Sequence, residues 1–305
     1  MNITNAHVHM IDLEGMLQKY GSARLPEGIP VLADLQASLP LLSPETLLAQ
    51  MDAAGISRSV LYAVDAPIVY ASNEFVAALC GRHPDRLIGF ATVSPWDEDA
   101  AGTLEAAVKG LGLRGLKLHP PLQGFAPNDP AMGPVYKKAS ELGIPVVFHV
   151  GTTPFGSLCR LAHADPLLVD DVAVEFPKLR IMLTHLGTLW HNEAFMVVEK
   201  NPNVFIDTAA YLYEIASILT PDLLQRIGHH KVIFGSDYPM PYAGHVHAMK
   251  DFVDCITGLR IPSGILCGIF HDNFETLLNG TGGTDQGVAF ADLVRRFSED
   301  AARGQ

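Results

Sequence analysis

The sequence predicts a single (β/α)8 barrel, and three observations support this fold. Short apolar, β-branched segments alternate with segments of helical periodicity along the chain, and eight strand-like segments can be counted. Strands that alternate with helices predict right-handed βαβ units and a parallel sheet. The length of 305 residues suits eight such units in one domain spanning 1–305. An open doubly wound sheet is the alternative, but the glycine-rich phosphate turn that it favours does not follow the first strand.

The predicted strands are short and rich in valine, isoleucine, leucine and phenylalanine. In order they are Ile3–Met10, Ser59–Val64, Leu87–Val93, Gly115–His119, Pro145–Val150, Arg180–His185, Val204–Thr208 and Val232–Asp237. Helical patterns lie between them, and Leu47 and Met51 share one face of the first, at 44–54. Ser43 before Pro44 predicts a helix start, whereas Gly143 stands where a helix end is expected.

The segment 10–42 is too long for an ordinary connection between a strand and a helix, and it is rich in glycine and proline. We interpret it as an insertion over the mouth of the barrel, with the position of a lid. The polar sequence after Thr281 is expected to form a last helix or a frayed tail.

The composition excludes several classes of protein. A formal net charge of -12 disfavours nucleic-acid binding, because no positive field attracts phosphates. The four cysteines lie far apart, which argues against a zinc ribbon, a redox pair and a disulfide framework. No basic leader opens the chain and no run approaches the ~18 apolar residues of a membrane helix. We therefore expect a cytoplasmic protein that binds neither membranes nor nucleic acid.

Titratable residues fall at the carboxyl ends of the predicted strands, where barrels of this kind form their active sites. They are His7, His9, His119, His149, His185 and Asp237. Residues two apart on a strand share a face, so His7 and His9 both point inward. Strand eight closes against strand one and brings Asp237 beside them, and His149 reaches from across the barrel. Three imidazoles and one carboxylate suit Zn²⁺ with one position left open.

Each of these residues also has a structural interpretation. A single inward histidine is more often part of a core than a ligand, and an H-x-H pair alone is weak support for a metal site. The coincidence of four candidate ligands at strand ends is the stronger signal. A non-catalytic metal-binding protein is a further alternative, although a closed structural site needs no charged neighbours. Serine catalysis is disfavoured because the chain contains no G-x-S-x-G turn.

Several motifs resemble those of the amidohydrolase superfamily, in the branch called amidohydrolase-related or "amidohydrolase 2". They are Asn5-Ala6-His7-Val8-His9, Gly115-Leu116-Lys117-Leu118-His119-Pro120, Phe148-His149-Val150-Gly151, Thr184-His185-Leu186-Gly187, Gly235-Ser236-Asp237-Tyr238-Pro239 and Phe270-His271-Asp272-Asn273-Phe274. The resemblance implies that His7, His9, His149 and Asp237 hold a single divalent metal, Zn²⁺ or else Mn²⁺. His185 would orient or deprotonate the attacking water or bind a second metal, and Asp237 would also move a proton.

Lys117 raises the question of a second metal. In binuclear members of the superfamily a carboxylated lysine on this strand bridges two ions, and the resemblance leaves that possibility open. Most members of the branch are mononuclear, so the resemblance favours Lys117 as a cation that contacts substrate. A core lysine paired with an acid is the structural alternative.

The same scaffold performs two reactions. Hydrolases cleave an ester, lactone or amide, whereas decarboxylases of the branch protonate the carbon that loses CO₂. Several of those decarboxylases carry glutamate at the position of His7, so hydrolysis is preferred here and decarboxylation is the alternative. The predicted substrate is a small cyclic or aromatic carboxylate, bound by Lys117, His119, Arg160, Arg24, Trp190 and Tyr238. The branch also implies a homodimer or homotetramer.

Overall fold

The computed structural model describes residues 1–23, 29, 36–241 and 245–280, and eight parallel strands form a closed barrel in it. The strands are β1 (Thr4–His9), β2 (Arg58–Tyr62), β3 (Leu87–Phe90), β4 (Leu116–Leu118), β5 (Val146–Phe148), β6 (Ile181–Leu183), β7 (Val204–Asp207) and β8 (Val232–Ile233). They pair as β1–β2–β3 and as β4–β5–β6–β7–β8. Backbone bridges join the two runs between Ala91 and Leu116 and between Val8 and Tyr238. The predicted (β/α)8 barrel is confirmed.

All eight predicted strands are present, although most are shorter than predicted. The largest difference is in β8, which was predicted to reach Asp237 and ends at Ile233. Beyond it the chain leaves the regular ladder, and Asp237 adopts a φ of 56°. Single hydrogen bonds then hold this segment against β1, including that from the amide of Asp237 to the carbonyl of His7 (3.0 Å).

Helices cover the outside of the barrel and follow the strands in turn. Their bounds are Leu13–Tyr20, Pro44–Ala53, Asn73–Arg82, Ala100–Leu111, Pro120–Gln123, Gly133–Leu142, Leu167–Glu175, His191–Lys200, Leu212–Ile218, Pro221–Ile227, Met249–Thr257, Ser263–Cys267 and Asn273–Asn279. Ser43 caps the second of these through its side chain, and Gly143 ends the sixth in the left-handed conformation, as predicted. Within the described residues, no helix combines the length and apolarity needed to cross a bilayer.

The barrel interior is filled by one buried cluster to which the strands contribute side chains, among them Val60, Val147, Met182, Phe205 and Ile233. Side chains two residues apart on a strand point to the same face. His149 therefore stands one layer beyond Val147, and Asp207 stands one layer beyond Phe205. The packed interior thus forms the floor on which the titratable side chains rest.

The insertion between β1 and the second helix is fixed to the barrel mouth at several points. Helix Leu13–Tyr20 ends on a tyrosine whose hydroxyl donates to Asp65 (2.7 Å). Ile29 is buried in the same cluster as the barrel interior. The hydroxyl of Ser38 donates to the carbonyl of Pro239 (2.6 Å), which ties the insertion to the loop after β8. The described parts of the insertion are therefore attached to the segments after β2 and β8, and its role as a lid stays a prediction.

Parts of two predictions lie outside the described residues. In the predicted insertion, segments 24–28 and 30–35 are not described. Arg24, which was predicted to bind the substrate, lies in the first of these segments. The predicted tail after Thr281 also lies outside the described residues.

At the opposite end of the barrel, Arg180 connects the last described helix to the sheet. Its Nε donates to the carbonyl of Leu277 (2.6 Å), and its Nη2 donates to the carbonyls of Gly143 (2.6 Å) and Leu278 (3.2 Å). These acceptors include carbonyls in the final turn of helix Asn273–Asn279, which have no partner within the helix itself. One half-buried guanidinium therefore fastens the end of the helix to the lower rim.

Replacing Arg180 by methionine is expected to lower the free energy of unfolding by about 2 kcal/mol, because the apolar side chain leaves these carbonyls without a charged donor. Urea unfolding followed by circular dichroism measures the change. Arg226→Met is the matched control, because Arg226 forms an exposed pair with Glu199. Its loss should cost less than about 1 kcal/mol. An equal decrease in the free energy of unfolding in the two variants would contradict the proposed role of Arg180 at the lower rim.

Candidate active site

Three side chains converge at the junction of β1 with the segment after β8. The Nε2 atoms of His7 and His9 lie 3.2 Å apart. Asp237 Oδ1 lies 3.2 Å from Nε2 of His7 and 3.3 Å from Nε2 of His9. Both imidazoles are buried, whereas the Asp237 side chain is 26% exposed. The H-x-H spacing on one strand and the closure of the barrel therefore bring these groups together as the sequence predicts.

Asp207, at the end of β7, fixes the orientation and tautomer of His7. Its Oδ2 lies 2.7 Å from Nδ1 of His7, and its Oδ1 accepts the backbone N–H groups of His185 (2.7 Å) and Ala209 (3.1 Å). Because a carboxylate only accepts, we assign the proton of His7 to Nδ1. Its Nε2 then presents a lone pair toward His9 and Asp237, as in metal-binding histidines held by an acid.

Burial sets the charge state of this cluster. Burial, followed by the positive charge of Lys117, lowers the pKa of His7 well below its usual value, so the imidazole is neutral at pH 7. Burial also lowers the pKa of His9, although the hydrogen bond to Asp237 opposes this. Two neutral imidazoles with a carboxylate bring lone pairs close together, and this arrangement is stabilised by a cation between them.

A second hydrogen-bonded chain determines the tautomer of His149. Nδ1 of His185 lies 2.6 Å from the carbonyl of Ala209, so it must donate, and Nε2 of His185 is left as an acceptor. Nδ1 of His149 lies 3.1 Å from that acceptor. His149 therefore carries its proton on Nδ1. Its Nε2 is buried without a hydrogen-bond partner in the described structure and offers a free lone pair.

The structure brings three of the four predicted metal ligands together and leaves the fourth apart. His7, His9 and Asp237 form one group whose potential ligand atoms lie within 4.8 Å of one another. His149 is not in that group, but its free Nε2 has the protonation that a ligand requires. The donor set of three neutral imidazoles and one carboxylate fits a divalent ion such as zinc or manganese.

A second cluster, formed by His7, His185 and Asp207, has the composition of a metal site. Its polar atoms are engaged with each other and with the backbone: Asp207 accepts from His7 and from the amide of His185, and His185 donates to Ala209. Hydrogen bonding therefore accounts for this cluster without a second ion.

Lys117 in β4 and His119 directly after it lie on the inner face, as the sequence predicts. The Lys117 ammonium lies 4.9 Å from the ring centroid of Tyr62 and has no hydrogen-bond partner among the described residues. Burial lowers its pKa to about 8, against the opposing charges of Asp207 and Asp237. His119 stacks on His149 with ring centroids 3.8 Å apart, and its Nδ1 is also unpartnered.

The strand ends border a cavity of about 300 Å³, within the size range of small-molecule sites. One end carries the ionisable side chains of His9, His119, His149, His185 and Asp237. The remaining wall is mainly apolar and aromatic, and includes Val69, Phe155, Leu212, Met240, Pro241 and Phe252, with Tyr211 and Tyr213. No lysine or arginine is present among the described residues that line it.

The predicted substrate-binding residues are only partly placed in this cavity. His119 lines it, whereas Lys117 lies beneath, against Tyr62. Arg160 is exposed outside the cavity lining, and Trp190 also lies outside it. Tyr238 is 2% exposed and packs in the main apolar core, because the positive φ of Asp237 interrupts the strand alternation just before it. The sequence predicted substrate contacts for four residues that do not line the cavity: Lys117, Arg160, Trp190 and Tyr238.

Three residues near the reaction centre were not assigned to the site by the sequence analysis. Asp207 is an acid at the end of an apolar strand, a signal that was available in the sequence but was not used. Thr153 and His247 line the cavity from loops, where the direction of a side chain does not follow from periodicity.

A closed barrel whose strand ends carry an H-x-H pair, an opposing histidine and an aspartate defines a class of metal-binding barrel proteins. The family model described as "Amidohydrolase" matches residues 4–279, and the chain belongs to that family.

Relatives and solved structures agree with this assignment. The γ-resorcylate decarboxylase of Rhodococcus jostii (strain RHA1) is 26% identical over an alignment that covers 76% of this chain and 87% of that protein. The structure of 5-carboxyvanillate decarboxylase from Sphingomonas paucimobilis has a TM-score of 0.72 at 17% identity and covers 92% of this chain and 99% of its own. A 5-carboxyvanillate decarboxylase from Novosphingobium aromaticivorans with bound manganese has a TM-score of 0.69 at 18% identity, covering 91% and 97%.

Proposed function

We propose that this protein is a metal-dependent decarboxylase of a small aromatic acid. The observation that carries the proposal is the division of the cavity: among the described residues that line it, the acidic and most of the basic groups stand at one end, and an apolar, aromatic wall encloses the rest. A flat ring fits the wall, and a carboxylate on that ring would face the ionisable end. The similarity to aromatic-acid decarboxylases supports the same reaction.

The proposed ion is held by His7, His9, His149 and Asp237. A divalent ion bound there would supply positive charge that attracts and orients the substrate carboxylate. We propose a single ion, because the polar atoms of the second cluster are already satisfied by hydrogen bonds. Manganese is the first choice because a decarboxylase of similar fold is described with it, and zinc is the alternative. The binuclear arrangement with carboxylated Lys117 has less support.

Enclosure in the cavity favours loss of CO₂. A carboxylate bound at the ionisable end is removed from bulk water and loses hydration, and its charge disperses as the carbon–carbon bond breaks. The electron pair of that bond stays on the ring carbon, which then takes a proton. Asp237 is the acid that lines the cavity among the described residues, and its side chain is open enough to exchange protons with water. We assign to it the delivery of that proton.

Hydrolysis, the reaction preferred on the sequence alone, is the second candidate. It is favoured by His7, at a position where several aromatic-acid decarboxylases carry glutamate. On that reading His185 would orient or deprotonate water. In the structure both its ring nitrogens are engaged, with Ala209 and His149, so this role would require a rearrangement of the hydrogen-bonded chain.

Product analysis in D₂O distinguishes the two reactions. Manganese-loaded protein is incubated with γ-resorcylate, with 5-carboxyvanillate and, separately, with a panel of lactones and amides, and NMR follows the products. Decarboxylation predicts CO₂ and an arene that carries one deuterium at the carbon that lost the carboxylate. Ring-opened or cleaved products from the panel, without CO₂ release from either acid, would contradict the proposal and support hydrolysis.

A further inference from the structure

Glu214 is a buried acid that the proposed reaction does not use. It lies in the first turn of helix Leu212–Ile218, is 4% exposed and is not among the residues that line the cavity. Its Oε1 lies 3.8 Å from Nε2 of His191, the distance of an ion pair rather than of a hydrogen bond, and its Oε2 lies 3.2 Å from the hydroxyl of Thr188. A buried carboxylate is costly without partners, so these two contacts determine what Glu214 does.

His191 faces Glu214 with the nitrogen that decides its charge. Nδ1 of His191 lies 2.8 Å from the carbonyl of Leu186, so it must donate, and the charge of the ring depends on Nε2. The Glu214 carboxylate raises the pKa of His191, against burial, and it is the charged group that acts on this histidine among the described residues. The Glu214–His191 pair is thus held together by charge and attached to the backbone at Leu186.

The backbone that the pair contacts is strained. His185 and Leu186 have φ angles of 62° and 51°, in the left-handed region that residues with a side chain rarely adopt. The carbonyl of Leu186 accepts from His191, and the carbonyl of His185 lies 2.8 Å from the hydroxyl of Thr188. That hydroxyl has a single hydrogen for His185 and Glu214, and its position between them joins Glu214 to the backbone of His185. Both strained residues are therefore in contact with the pair or its partner.

The conformation of His185 matters because its ring sets the tautomer of His149. Its Nδ1 donates to the carbonyl of Ala209, which leaves Nε2 to accept the Nδ1 proton of His149. If the backbone of His185 relaxed to a negative φ, the ring would leave this position and Nδ1 of His149 would lose its acceptor. The proton of His149 would then be free to move to Nε2, which removes the lone pair offered to a metal.

We propose that Glu214 and His191 are positioning residues that hold the left-handed backbone at His185 and thereby keep the Nε2 lone pair of His149 available for a metal. This inference rests on the proposed function, because it takes His149 to be a metal ligand. The pair acts through Thr188 and Leu186, without contact with the substrate.

NMR of metal-free protein with isotope-labelled histidine reports the tautomer directly, and the signal of His149 is identified by its absence in His149→Gln. In the wild type we expect the proton on Nδ1. Glu214→Met removes both contacts at similar side-chain length, so it should move this proton to Nε2 in a measurable fraction of the molecules. Competition with a chromophoric chelator should then give about tenfold weaker manganese binding.

Two further variants separate positioning from a loss of packing. Glu214→Gln keeps an oxygen for Thr188 and gains an amide that donates to a neutral His191, so it should retain the wild-type tautomer and a manganese affinity within about threefold. Thr188→Val breaks the connection to His185, and its combination with Glu214→Met should be no worse than the weaker single variant, because both act in one chain of contacts. Glu175→Met, at an exposed helix end, is the matched control and should change neither readout.

The inference is overturned if the wild type carries its His149 proton on Nε2, if folded Glu214→Met keeps the wild-type tautomer, or if Glu214→Gln has the same defect as Glu214→Met. A lower free energy of unfolding in Glu214→Met, with tautomer and manganese affinity unchanged, would make the pair merely structural and overturn it too. If Glu214→Met does not fold, Thr188→Val provides the comparison. A wild type that binds no manganese would contradict the proposed function, whereas the tautomers of the metal-free variants would still decide the role of the pair.

Discussion

Replacing Asp237 by asparagine is expected to lower the rate of CO₂ release by about 10²–10⁴-fold. Asparagine preserves the shape of the side chain and one oxygen in the group formed with His7 and His9. It has no carboxyl proton, however, so it cannot deliver one to the ring carbon. Its amide oxygen is also a weaker ligand than a carboxylate. Initial rates at saturating manganese, with γ-resorcylate as substrate, measure the change.

Asp85→Asn is the matched control for this experiment, because Asp85 is exposed in the connection before β3, at the other end of the barrel. It should retain the wild-type rate. An Asp237→Asn variant that keeps more than about a tenth of the activity would remove Asp237 from the reaction, since general acids contribute at least a hundredfold.

The second large effect is expected at Asp207, which contacts no part of the cavity. Its two carboxylate oxygens accept from Nδ1 of His7 and from two backbone N–H groups. Asparagine has a single oxygen, so either His7 or the backbone must face an NH₂ group. The change either reverses the tautomer of His7, which removes the lone pair on Nε2, or displaces the strand end and with it the position of that lone pair. We expect Asp207→Asn to weaken metal binding by about 10–100-fold.

Competition with a chromophoric chelator measures the manganese affinity of Asp207→Asn directly. Circular dichroism of the same samples controls for folding, and Asp85→Asn again supplies an exposed aspartate with the same chemical change. A folded Asp207→Asn protein with wild-type affinity would contradict the assignment of Asp207 as the residue that positions His7.

The sequence predicted side-chain positions well where strand geometry determines direction. The spacing of His7 and His9 places both on the inner face, and the closure of the barrel brings Asp237 beside them. Both inferences need only the two-residue period of a strand and the order of strands in a closed barrel. His149 was placed correctly on the rim, but its distance from the group depends on side-chain rotation, which the sequence does not encode.

Prediction was weaker where the chain leaves regular structure. Tyr238 follows a residue with positive φ, so its direction does not continue the alternation of β8. Arg160 and Trp190 lie in loops, where the direction of a side chain does not follow from periodicity, and neither lines the cavity. Asp207 was missed although it is an acid at the end of an apolar strand, because its partner His7 lies 200 residues away and no local pattern indicates the pairing.

Metal stoichiometry tests the central claim of this account most directly. Native mass spectrometry of protein that has been supplemented with manganese and then desalted should give about one ion per chain in the wild type. Asp237→Ala and His149→Ala should each lose it, because each removes one of the four proposed donors. A full equivalent retained by both variants, or a folded wild-type protein that binds no divalent ion, would contradict the metal site and the decarboxylase reaction built on it.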